Sequence, residues 1–155
     1  MKKIIFALVF ITSFSCMAQK ETKKWLGYTD IGKLSAKFDW FSKGYDAYTP
    51  DFAYVKKLTL ALPGYTFLVF GGVWCSDTKE LLPQFYKTLD EAGIPRDRIK
   101  LYLLDEKKIS PEKLEIQYKI TQIPVFILLK DGKEVGRITE ETQKSIESDL
   151  AGLVQ

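Results

Sequence analysis

YTFLVFGGVWCSDTKELLP, residues 65–83, decides how the rest of the chain is read. Phe67-Leu68-Val69-Phe70 is an unbroken apolar run of strand length, as expected of a central strand covered on both faces. Gly71-Gly72 lets the chain turn sharply, and Trp74-Cys75 then arrives at the start of an amphipathic helix marked by Leu81, Leu82, Phe85 and Leu89. A cysteine at that position is a chemical site, because the unpaired amides and dipole of a helix start favour thiolate over thiol. Thr78, one turn along, is placed to donate a hydrogen bond to the sulfur, whereas the carboxylate of Asp77 opposes a second negative charge. Ser76 reads as a helix-start residue and Trp74 as a packed ring beside the thiol. Pro83 predicts a kink in the helix, and Gly93 with Pro95 ends it.

Downstream, Ile99 to Leu104 is the next strand, with Asp105 at its end. Ser110-Pro111 reads as a cap and first-turn proline for a helix to about Tyr118. Val125 to Leu129 returns as a strand, Asp131-Gly132 is a two-residue hairpin signal, and Glu134 to Ile138 pairs back as an edge strand. Ile146, Leu150 and Leu153 form the apolar stripe of a closing helix. Strands alternating with helices and then a hairpin predict an α/β domain with a mixed sheet covered on both faces.

Upstream, Asp30 is placed to cap one helix whose buried face is Leu34, Phe38, Phe41 and Tyr45. Thr49-Pro50-Asp51 then reads as N-cap, first-turn proline and acidic residue of a second helix carrying Phe52, Val55, Leu58 and Leu62, stopped by Pro63-Gly64. Aromatic residues crowd this region, from Phe38 to Tyr54. They read as rings packing the helices onto the sheet, with a partner-binding surface as the alternative. Residues 19–28 are polar and read as an exposed lead-in.

The first residues do not look like part of a core. Lys2-Lys3 followed by the apolar run from Ile4 to Ile11, then Cys16-Met17-Ala18, has the pattern of a signal peptide over residues 1–18 cleaved after Ala18. The apolar run is shorter than the ~20 residues of a spanning helix, so no transmembrane span is expected after cleavage. Ser15-Cys16 also fits the end of a lipoprotein motif, with Cys16 lipidated, as a minor alternative. The expected location is therefore periplasmic or extracellular. Loss of Lys2 and Lys3 lowers the net charge from +3 to +1, 21 basic against 20 acidic residues, which gives no electrostatic reason to expect nucleic-acid binding.

The chain contains no histidine, so Ser-His-acid and Cys-His catalysis, His-ligated zinc and His-bound haem are excluded. No metal site or cofactor is expected. With Cys16 removed, Cys75 is the single thiol, and a lone cysteine in an oxidising compartment is either a mixed-disulfide partner or an inert buried side chain.

Trp74-Cys75 at a helix start, Pro83 eight residues after that cysteine, Ile123-Pro124-Val125 and the order of elements resemble the thioredoxin superfamily over roughly residues 65–155. The resemblance implies a thioredoxin-like three-layer α/β fold, here preceded by an N-terminal helical extension over residues 19–64. It implies a cis peptide at Ile123-Pro124 opposite the thiol, with Trp74 as an apolar wall. In the family that arrangement exposes backbone for an extended peptide substrate and keeps metals off the cysteine. Protein thiols or disulfides, with a small-molecule thiol, are the implied partners.

Two departures qualify what is implied. The family's Cys-x-x-Cys reads Cys75-Ser76-Asp77-Thr78, so the motif cannot close an internal disulfide. The family's buried carboxylate, six residues before the nucleophile, and its lysine on the neighbouring strand correspond to Val69 and Leu101. Two main readings stand. One is monothiol thiol-disulfide exchange, of isomerase or reductase type, in which an external thiol or a second client cysteine releases the mixed disulfide. The other is a non-catalytic binding or chaperone-like module. Oxidation to a sulfenic acid is a third, although Gly72 stands where peroxiredoxins carry the threonine of Thr-x-x-Cys.

Overall fold

A computed structural model describes residues 25–154; the expected signal peptide, its cleavage point and Cys16 lie outside them. The elements in chain order are Gly27–Thr29 (β1), Ile31–Lys37 (α1), Asp39–Ala47 (α2), Phe52–Ala61 (α3), Tyr65–Gly71 (β2), Ser76–Glu91 (α4), Ile99–Leu103 (β3), Leu114–Gln117 (α5), Val125–Lys130 (β4), Lys133–Thr139 (β5) and Ile146–Leu153 (α6). Among the described residues the strands form one five-stranded sheet in the order β1-β3-β2-β4-β5. The β2–β3 pair is parallel and the other pairs are antiparallel, so the sheet is mixed.

The continuous apolar run of β2 is explained by its place in the middle of this sheet. Phe67 and Val69 point into one core, and Leu68 and Phe70 into the other. On the first face lie α1, α2, α3, α4 and α6, through side chains such as Leu34, Phe41, Leu58, Leu82 and Leu150. The opposite face is covered by α5 and its flanking loops, through Leu104, Leu114, Tyr118 and Ile120. Each large side chain fully buried in this way contributes about 1.5–3 kcal/mol. The Asp131-Gly132 turn has positive φ at both residues, 51° and 74°, which is why that dipeptide closes the β4–β5 hairpin.

Four details differ from what periodicity and capping rules predict. Gly27 and Tyr28, the end of the expected exposed lead-in, instead form with Thr29 the edge strand β1, held on β3 and by the Tyr28 N–H to the Glu112 carboxylate at 2.9 Å. The single helix expected after Asp30 is two, because Phe38 is extended (φ −118°, ψ 102°) and turns its ring edge-on to Trp25 at 5.2 Å. Asp51, rather than Thr49, caps the next helix, accepting from the Ala53 N–H at 2.8 Å. Finally, Ser110 caps nothing: its hydroxyl donates to the buried Glu115 carboxylate at 2.6 Å, and with Lys113 in a left-handed conformation α5 begins only at Leu114.

The helical extension is built into the domain. Most of its aromatic rings are packed, Phe41 edge-on to Tyr86 for example, although Phe52 stays exposed. Glu147 of α6 accepts from the Tyr48 hydroxyl at 2.6 Å and the Asp51 N–H at 3.2 Å, which ties the segment before α3 to the closing helix. Burial pushes the Glu147 carboxyl up, but these bonds outweigh it and leave the group below the usual carboxylate range. α4 runs on across Pro83, and Gly44 of α2 packs against that ring; a Cβ there would lie 3.0 Å from the Pro83 Cγ.

Candidate functional site

β2 ends at Gly71, and the next four residues build a turn whose parts depend on one another. The Gly72 carbonyl accepts the Cys75 N–H at 3.0 Å, which places Cys75 as the N-cap residue of α4 (φ −81°, ψ 129°). The Cys75 carbonyl accepts the Lys79 N–H at 3.2 Å and starts the helix. Gly72 has to be glycine: a Cβ would lie 2.7 Å from Trp74 Nε1 and 3.0 Å from Ile123 Cδ1. The Trp74 indole N–H donates to the Leu104 carbonyl at 3.0 Å, fixing the ring beside the thiol.

The Ile123-Pro124 peptide is cis, and Cys75 Sγ donates to the Ile123 carbonyl at 3.6 Å. Residues far apart in sequence thus meet at the Cys75 sulfur, and Cys75 as a residue is only 8% exposed. Thr78 does not donate to that sulfur, contrary to the expectation from spacing. It is 1% exposed, and its Oγ1 accepts the Gly72 N–H at 3.2 Å beneath the turn. The Ser76 hydroxyl donates to Asp77 at 3.2 Å at the exposed rim.

Below the turn, Val69 and Leu101 are direct partners across the β2–β3 pair, and both are fully buried. Both belong to the core on the opposite face of the sheet from Cys75, and this strand pair carries no buried carboxylate or lysine.

Cys75 opens on a cleft of about 280 Å³ that brings together Trp74, Ser76, Asp77 and Ile123 with two residues spacing did not single out, Lys108 and Glu140. The one signal for Lys108 was Asp105, whose carboxylate accepts the N–H groups of Lys107 and Ile109, each at 2.9 Å, and folds the loop back. Glu140 follows β5 and accepts from the Gln122 side-chain amide. Both have left-handed backbones (φ 61° and 63°), a placement that sequence patterning does not report. Among the described residues no group of three His, Cys, Asp or Glu side chains could hold a metal, and no helix is long and apolar enough to cross a membrane.

The Thioredoxin family model matches residues 63–151. Among solved structures, a Pseudomonas aeruginosa protein of unknown function is 19% identical, with a TM-score of 0.50 over 81% of this chain and 74% of that one. Fasciola hepatica thioredoxin is 21% identical, with a TM-score of 0.41 over 63% of this chain and 84% of that one. The germline-specific thioredoxin Deadhead of Drosophila melanogaster is 20% identical, with a TM-score of 0.42 over 64% and 87%. No curated protein matches the sequence.

Proposed function

The chain belongs to the thioredoxin family, and on that premise we propose that it is an exported monothiol protein of thiol-disulfide exchange, acting on protein clients through Cys75. The observation that carries this reading is the meeting of Cys75 Sγ with the Ile123 carbonyl, beside Pro124 and at the mouth of an open cleft. A client strand laid along Ile123 would bring its sulfur to that of Cys75.

The exchange is a displacement at sulfur. The Cys75 thiolate attacks one sulfur of a client disulfide, the S–S bond breaks, and the other client sulfur leaves as thiolate while the Cys75–client disulfide forms. Thr78 offers no thiol to reverse this from within. Release comes from an external small thiol or from a second client cysteine, which gives reduction or isomerisation respectively. The hydrogen bonds of Gly72 to the Cys75 amide and to Thr78 Oγ1 position the turn that carries the sulfur, and neither takes part in the step.

The test is to incubate the mature protein with a disulfide-containing peptide and weigh the product. A Cys75-linked adduct that is absent in Cys75→Ala and is removed by glutathione is the expected result. If folded protein forms no adduct with any disulfide, the exchange reading is wrong. The same outcome would support the second reading, a thioredoxin-fold binding module, which is favoured by the low exposure of Cys75 and by the use of its S–H in the bond to Ile123.

A further inference from the structure

Lys108 borders more than the cleft at Cys75. That side chain also lines a neighbouring cavity of about 550 Å³, whose walls include Ile109, Lys113, Ile116 and Lys119. Ile109 and Ile116 are 48% and 70% exposed, so two large apolar side chains face solvent within a few residues of each other. The cavity's charge is one-sided. Lys108, Lys113 and Lys119 all line it, while its only carboxylate, Glu115, is buried and satisfied by the Ser110 hydroxyl. Glu112, in the same loop, is turned away onto the Tyr28 N–H.

The opposite polarity holds at the sulfur, where Asp77 and Glu140 flank the thiol with Lys108 as the single cation. Among the described residues, five non-glycine residues have positive φ, and four of them, Lys108, Lys113, Lys119 and Glu140, line these two cavities, which share Lys108. Left-handed backbone at a long charged side chain costs free energy that helix or sheet does not recover, and such costs collect where a surface has to present particular groups. The fifth, Asp131, belongs to the hairpin turn.

We propose that the cavity beside Cys75 selects the client: it seats a polypeptide segment that is apolar and acidic on one side of its reactive cysteine. This rests on the exchange reading above and adds a substrate class to it. The client's apolar side chains lie on Ile109 and Ile116, and its carboxylates meet Lys113 and Lys119. Lys108 marks the boundary between this seat and the acidic rim at the sulfur. The rim repels a client bound in the reverse direction, so the two cavities fix polarity as well as composition.

The experiment uses the mature protein and two peptides activated as mixed disulfides with 2-thiopyridine, identical except that two residues beside the leucine-flanked cysteine are Glu in one and Lys in the other. Attack by Cys75 on the peptide sulfur forms the Cys75–peptide disulfide and expels thiopyridine, whose absorbance gives the rate. The acidic peptide is expected to react about 5- to 10-fold faster at low salt. That ratio should collapse towards one in roughly 0.5 M NaCl, and in the triple variant Lys108→Gln, Lys113→Gln, Lys119→Gln. The salt arm does not depend on the variant folding. Dithiodipyridine, small and uncharged, reports the intrinsic reactivity of Cys75. Equal rates for the two peptides, with dithiodipyridine reactive, overturn the selectivity and leave the exchange reading intact. Failure of all three reagents overturns both.

Discussion

Thr78 Oγ1 accepts the Gly72 amide hydrogen at 3.2 Å, and so the hydroxyl at the position of a resolving thiol is a structural brace under the turn that carries Cys75. Replacing it with valine keeps the shape and leaves a buried N–H without an acceptor. Thr78→Val is expected to lose about 1–3 kcal/mol in urea denaturation. Thr78→Ser keeps the oxygen and should recover most of that loss. Because the Gly72 carbonyl also holds the Cys75 amide, the valine variant should label more readily at Cys75 with iodoacetamide. Unchanged stability and labelling would show that the brace carries no weight.

Glu147 gives the molecule a sensitivity to acid. Its folded-state carboxyl lies below the usual range, so its contribution is complete above the ordinary carboxylate value of ~4.3 and fades as pH falls through the lower folded value. Glu147→Gln is expected to cost about 1–3 kcal/mol at neutral pH. The gap between variant and parent should close in acid, as measured by thermal melts across a pH series. A gap of constant size at every pH would mean that the Tyr48 and Asp51 bonds do not depend on the ionised carboxylate.

Leu58 of α3 is fully buried in the same core as Phe67 and Leu82. If the extension is one cooperative unit with the sheet, Leu58→Ala should lower global stability by about 2–5 kcal/mol and keep a single unfolding transition. Two separated transitions would instead make the extension an independent layer.

Apolar runs and turn dipeptides made most of this fold legible: Phe67–Phe70 marked the central strand and Asp131-Gly132 the hairpin. What escaped was decided by tertiary contacts. A three-residue edge strand such as β1 has too little pattern to register, and Phe38 breaks a helix that its spacing supports because its ring packs on Trp25. At the site, Cys75, Trp74 and Ile123-Pro124 were readable as motif and resemblance, and the structure brings them together. Lys108 and Glu140 were not, because their place beside the sulfur comes from loop closure and left-handed backbone. Thr78 was read with its hydroxyl donating to the sulfur; it is instead buried beneath the turn, where its oxygen accepts the Gly72 amide hydrogen.

β2 is hydrogen-bonded on both edges and buried on both faces, and the Cys75 turn grows directly from its last residue. Its amides should therefore exchange with deuterium only when the whole domain opens, whereas the walls around Ile109 and Ile116, on loops and the single turn of α5, should exchange through local openings. The sulfur is thus mounted on the slowest clock in the molecule and the neighbouring cavity on a faster one. Warming should loosen the cavity walls well before it moves the thiol.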